Sequence, residues 1–221
     1  MFLDTGNIEE IERGIKLGIF KGVTTNPTLL LREKEERFQH IYKILEKDVD
    51  LVFIQLIGDS KQELYEDYKK IQGIKTHKKI GIKVPMNLDG LEFIKELKKE
   101  CPEQIILGTA IYSADQGILA SLAGCDYIAP YVNRMLNNGL DPYHAISQVR
   151  KFIDERSLDT KIMGASFKNS NQVVDTLMAG AHTATISMDV VQKMINKELA
   201  INAIKVFNDH GKELDQMNHA F

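Results

Sequence analysis

Eight short apolar runs, each followed by a stretch with helical periodicity, divide this chain into near-equal units. The runs cover residues 2–5, 22–25, 51–57, 80–84, 105–109, 127–132, 161–166 and 183–187. Their spacing, about 25 residues, is the rhythm of repeated βα units, which call for a parallel sheet with helices packed against it. Eight such units predict an α/β fold of one kind, a single (β/α)8 TIM barrel. An open doubly wound sheet is the other architecture to weigh. It usually carries a Gly-rich first turn, and Asp4-Thr5-Gly6-Asn7 contains no G-x-G-x-x-G.

The helical stretches are marked by caps and spacing. Asn7, with Glu10 three residues on, reads as a capping-box start before Ile8, Ile11 and Ile15. Pro27 suits the first turn of one helix running on to Leu45. Leu91, Ile94 and Leu97 form the next apolar stripe, and further helices are expected near 114–122, 143–155, 171–178 and 190–195. A ninth, over 200–214, exceeds what a barrel needs. Composition shows no break or linker, so residues 1–221 are expected to form one domain, with 198–221 as an extra C-terminal helix and tail.

Composition excludes several function classes. With 43% hydrophobic and 27% charged residues, 221 positions suffice for one sizeable core. A net charge of −3 offers no electrostatic footprint for nucleic acid. The one basic cluster, Lys75 to Lys79 with His77, suits a solvated helix C-terminus. Cys101 and Cys125 lack the close spacing of a metal or redox motif and read as packing residues. No basic leader follows Met1 and no apolar run could span a bilayer. The expectation is a cytoplasmic protein with neither membrane nor nucleic-acid partners.

One residue stands out against this background. Lys83 lies inside Ile80-Gly81-Ile82-Lys83-Val84-Pro85, a run that reads as a buried strand. Burying an unpaired ammonium is costly, and a desolvated lysine gives up its proton more readily. The resulting free amine can attack a carbonyl and form a Schiff base. A strand-end lysine whose stem packs and whose head reaches water is the structural alternative. The barrel reading sharpens the choice, because its active residues belong at the C-terminal strand ends. Polar residues recur there: Asp4, then Thr24, Thr25 and Asn26, then Gln55, Lys83, Thr109, Tyr131 with Asn133 and Arg134 beyond it, and Ser166. Asp4 alone could be a cap and Tyr131 a packed ring. Their recurrence at one end of nearly every unit predicts a convergent polar pocket around Lys83.

Four of these segments resemble the transaldolase family. They are Gly22-Val23-Thr24-Thr25-Asn26-Pro27-Thr28, Ile82-Lys83-Val84-Pro85, Gly108-Thr109-Ala110-Ile111-Tyr112-Ser113, and the run from Ala123 through Ala129-Pro130-Tyr131 to Arg134. The likeness extends from Leu3 to Asp189 and is greatest to the short fructose-6-phosphate aldolases. It implies a class I aldolase on a (β/α)8 barrel, with neither metal nor organic cofactor. Gln55 and Tyr131 match the aldolase branch, where transaldolases carry glutamate and phenylalanine. The alternative is a transaldolase passing a dihydroxyacetone unit between sugar phosphates. A catalytically silent sugar-phosphate binder would lack the lysine or its proton-handling partners, and a structural ring with vestigial chemistry would be told from an enzyme by Lys83→Met.

The resemblance also implies roles. Lys83 is the Schiff-base lysine, and Asp4 is the base at the C4 hydroxyl of fructose 6-phosphate. Gln55, Thr109 and Tyr131 position the water that protonates the enamine. Asn26 and Thr24 hold the dihydroxyacetone portion. Arg134 and Ser166 take the phosphate, with Asn133 a further candidate; a planar guanidinium binds phosphate with two parallel hydrogen bonds. In the family a terminal helix packs onto a neighbouring subunit in a ring, and paired rings form a decamer, so a homo-oligomer is expected with Val206 and Phe207 as apolar contacts. Two features depart from the pattern: Met86-Asn87 replaces the usual Val-Thr after the lysine strand, and residues 210–221 match poorly.

Overall fold

A computed structural model describes residues 1–218. Residues 219–221, the end of the expected C-terminal tail, lie outside the described residues. Eight parallel strands close into a barrel in chain order: β1 (Phe2–Asp4), β2 (Gly22–Thr24), β3 (Leu51–Gln55), β4 (Lys79–Pro85), β5 (Ile106–Ile111), β6 (Tyr127–Pro130), β7 (Lys161–Gly164) and β8 (Thr183–Ile186). Closure is made by β8 against β1, with Phe2 opposite Thr185. After β1 comes α1 (Ile8–Leu17), and after β2 come α2 (Pro27–Arg32) and α3 (Arg37–Leu45). The next connections hold α4 (Lys61–Gln72), α5 (Leu88–Glu100) and α6 (Ala114–Ala123). The β6–β7 connection holds α7 (Val132–Asn137) and α8 (Pro142–Glu155). Between β7 and β8 lies α9 (Ser170–Met178), and after β8 come α10 (Met188–Ile195) and the extra helix α11 (Glu198–Asn218). No helix among the described residues is long and apolar enough to cross a membrane.

Local chemistry explains the element ends. The Glu10 amide donates to Asn7 Oδ1, so Asn7 caps α1 as its sequence position predicts. Glu10 completes no capping box; its carboxylate accepts from the Thr5 hydroxyl at 2.5 Å. The single helix expected from Pro27 to Leu45 is two. It breaks at Glu33-Lys34-Glu35-Glu36, where Lys34 takes a positive φ of 54° and Glu36 caps α3. Four consecutive charged residues leave that turn nothing to bury against the barrel. Strand six stops at Pro130, short of the expected Val132, because Tyr131 already serves as N-cap of α7.

Two apolar layers build the barrel. Between strands and helices lies the larger one, made of outward strand residues such as Leu3, Val52, Ile54, Ile82, Val84 and Ile106. Inward positions form a second cluster of Phe2, Leu51, Phe53, Leu107, Ala129, Met163 and Ala165. Side chains alternate faces along a strand, so the inward residues in the middle of β4 are Gly81 and Lys83. Phe53, Phe2 and Tyr127 meet edge to face, with ring centroids 5.5 to 6.0 Å apart. Gly81 makes room for this aromatic plug: a Cβ there would stand 2.4 Å from the Phe53 ring. Above the plug, one inward position further along β1, β3 and β4, the residues turn polar: Asp4, Gln55 and Lys83.

Candidate active site

A cavity of about 310 Å3 opens at the C-terminal mouth of the barrel, with Leu107, Ala129 and Ala165 among its apolar lining. Strand register aligns its polar wall: Asp4 stands opposite Thr24, and Gln55 opposite Lys83. Lys83 is 4% exposed. Its Nζ donates to the Thr25 carbonyl at 2.9 Å, a neutral main-chain partner. Among the described residues no carboxylate stands within ion-pair distance of its amine. As a free base it has two N–H groups and a lone pair, so it can keep this bond and still present the lone pair to the cavity.

Asp4 lines the cavity from β1, with Thr24 beside it on β2. The Thr24 hydroxyl donates to Asp4 Oδ1 at 2.7 Å and lies 2.6 Å from the Thr185 hydroxyl. Thr24 has one proton, which goes to the carboxylate, so Thr185 donates to Thr24. Burial pushes the Asp4 carboxyl above the ordinary carboxylate range. The nearby charge of Lys83, the Thr24 hydroxyl and the charge of Arg134 each pull it back toward the ionised form. A carboxyl held this way is a stronger base than a solvated one. Across the cavity, the Tyr131 hydroxyl lies 2.8 Å from the Thr109 hydroxyl. Thr109 is fully buried, so it meets the cavity through Tyr131.

A family model described as transaldolase/fructose-6-phosphate aldolase matches residues 1–221. The chain belongs to the transaldolase/fructose-6-phosphate aldolase family. Members of this family are aldolases and transaldolases, which makes the chain an enzyme of that broad kind.

Most residues singled out from the sequence meet in this family member's cavity: Asp4, Asn26, Gln55, Lys83, Tyr131, Arg134 and Ser166 all line it. Asn26 also caps α2, accepting from the Leu29 amide at 3.0 Å. Arg134 reaches over the mouth, its guanidinium carbon 5.0 Å from the Tyr131 ring centroid. Two expected contacts lie elsewhere. Thr24 is fully buried and does not line the cavity, and its hydroxyl is taken by Asp4 and Thr185. Asn133 turns its side chain away to accept from Gln172 Nε2 at 3.0 Å. Among the described residues no group of three or more His, Cys, Asp or Glu is placed to hold a metal ion.

Backbone strain collects at the same mouth. Ala110 and Ser166, both in the cavity wall, have φ values of 60° and 61°. Each non-glycine residue in this region costs roughly 1–2 kcal/mol. At Ala110 the strain accompanies a register shift of β5 against β6 between Gly108 and Ile111. Three side chains near the site escaped the sequence reading. Thr185 was signalled by the Thr-Ala-Thr-Ile alternation of β8, which puts Thr183 and Thr185 on the inward face. The other two, Arg37 and Asp67, form a bidentate ion pair, while Arg37 Nη2 also donates to the Gln55 carbonyl at 2.8 Å. Thirty residues of separation left that pair no local signature.

Proposed function

We propose that this chain is a Schiff-base aldolase that reversibly cleaves fructose 6-phosphate to dihydroxyacetone and glyceraldehyde 3-phosphate. The observation that carries the reading is the Tyr131 hydroxyl, bonded to Thr109 in the same cavity as Lys83 and Gln55. In its free-base form Lys83 attacks the C2 carbonyl, and loss of water gives an iminium. Asp4 takes the proton of the C4 hydroxyl. The C3–C4 bond breaks, its electron pair moving to the iminium nitrogen to give an enamine, and glyceraldehyde 3-phosphate leaves. A water held by Gln55 and by the Tyr131 hydroxyl, which Thr109 orients, protonates C3 of the enamine, and hydrolysis of the regenerated iminium frees dihydroxyacetone. An enzyme that must finish its own cycle needs this proton-handling hydroxyl, whereas a transferase must hold the enamine until an acceptor arrives.

Binding roles follow the cavity wall. Asn26 faces the dihydroxyacetone end, while Arg134 and Ser166 suit the phosphate. Thr24 serves the substrate indirectly, by holding Asp4. The molecule is a homo-oligomer in this reading, with α11 docking on a neighbouring copy. The apolar side chains of α11 support that arrangement, since Leu199, Ile204, Phe207 and Leu214 are all exposed in the single chain.

The test is release of glyceraldehyde 3-phosphate from fructose 6-phosphate, with and without erythrose 4-phosphate. Sustained release without the acceptor is expected. Release that depends on the acceptor would make the enzyme a transaldolase and remove the significance given to Gln55 and Tyr131.

A further inference from the structure

Tyr112 is the first residue beyond β5 and has no part in the steps above. Its hydroxyl accepts a hydrogen bond from Arg134 Nη1 at 3.3 Å. Its ring meets the Tyr131 ring edge to face, with centroids 5.6 Å apart. Arg134 in turn lies over the Tyr131 ring. The three side chains therefore close a triangle at the cavity mouth, each touching the other two.

The members of this triangle differ in freedom. Arg134 is an exposed side chain with many rotamers, and an untethered guanidinium would sweep across the mouth. A tyrosine has two side-chain torsions and holds its shape cheaply. The start of the Tyr112 loop is fixed as well, because its amide donates to Gln116 Oε1 at 2.9 Å. Tyr112 thus gives Arg134 a rigid acceptor on one nitrogen, while the Tyr131 face supports its plane. The remaining N–H groups of the fork stay available to an anion.

We infer that Tyr112 is a positioning residue that fixes Arg134 over Tyr131 and thereby selects substrates carrying a phosphate at the end remote from Lys83. The inference rests on the reading of Arg134 as the phosphate-binding group. A preorganised fork spares the ordering of a long side chain on binding, so its loss weakens recognition of the phosphate and leaves the chemistry at Lys83 alone.

The experiment measures kcat and KM in the synthetic direction, with dihydroxyacetone as donor and either glyceraldehyde 3-phosphate or glyceraldehyde as acceptor. Tyr112→Phe keeps the ring against Tyr131 and removes only the acceptor oxygen. The expected result is a KM for glyceraldehyde 3-phosphate raised about three- to tenfold. Its kcat, and both constants for glyceraldehyde, should stay within about twofold. An unchanged KM, or an equal loss with both acceptors, would overturn the role of Tyr112. Arg134→Ala separates this failure from failure of the underlying reading. If the preference for the phosphorylated acceptor disappears in Arg134→Ala but persists in Tyr112→Phe, only the positioning role falls. If it survives Arg134→Ala, the phosphate reading falls and the inference with it.

Discussion

Asp4 is governed by opposing influences whose balance sets a pH limit. Burial raises its carboxyl, whereas Lys83, Thr24 and Arg134 favour the ionised form. As a base it works only when ionised, so activity is present above its pKa and is lost as pH falls through it. A raised pKa moves that loss to a higher pH than a solvated aspartate would give. Thr24→Val removes the hydroxyl that donates to the carboxylate, and should push the pKa further up. The acid limb of kcat/KM against pH is therefore expected to move alkaline by about half a unit to one unit, a scale set by the 1.36 kcal/mol carried by one unit. A limb that stays in place would show that Asp4 is not the group titrating there. The site residues were readable from the sequence where a polar side chain ended an apolar strand, as with Asp4, Gln55 and Lys83. Thr24 also ends a strand, but it is fully buried, its hydroxyl bonded to Asp4 Oδ1 and to Thr185. No single strand reveals which partner on its neighbours will claim a hydroxyl.

Among the elements, β4 shows how a strand raises a lysine above an aromatic plug. Its inward face offers no side chain at Gly81 and a full one at Lys83, so the Phe53 ring fills the lower level and the amine the upper. Gly81→Ala would place a methyl group 2.4 Å from a Phe53 ring carbon and force the ring upward or sideways. The expected loss of stability is about 1–3 kcal/mol, the usual range for overpacking a tight core. Denaturant unfolding checks this; an unchanged midpoint would mean that the plug has slack. The eight strands were legible because each is a short apolar run bounded by turn residues. Their ends shifted by one or two residues where tertiary demands prevailed. Tyr131 left the strand to cap α7, and the charged run after Arg32 broke the single helix expected from Pro27 to Leu45. The positive φ at Ala110 left no trace in the sequence, since alanine carries no preference for it. It comes with the irregular pairing of β5 and β6.

At the scale of the whole molecule, α11 is the element the barrel does not use. Apart from Ala203 and Gly211, every residue from Glu198 to Met217 is exposed in the single chain. Phe207, 69% exposed, is the largest apolar group on it. Phe207→Glu should shift sedimentation velocity toward smaller species while leaving far-ultraviolet circular dichroism unchanged. An unaltered sedimentation coefficient would remove α11 from the subunit contact.

The anchor of the nucleophile is also a property of the whole barrel. Lys83 on β4 is aimed by the carbonyl of Thr25, just past β2, across the intervening β3. Every amino acid supplies a carbonyl, so no exchange of side chain at position 25 can delete that anchor. The direction of the amine is thus inherited with the curvature of the barrel rather than from any neighbouring side chain.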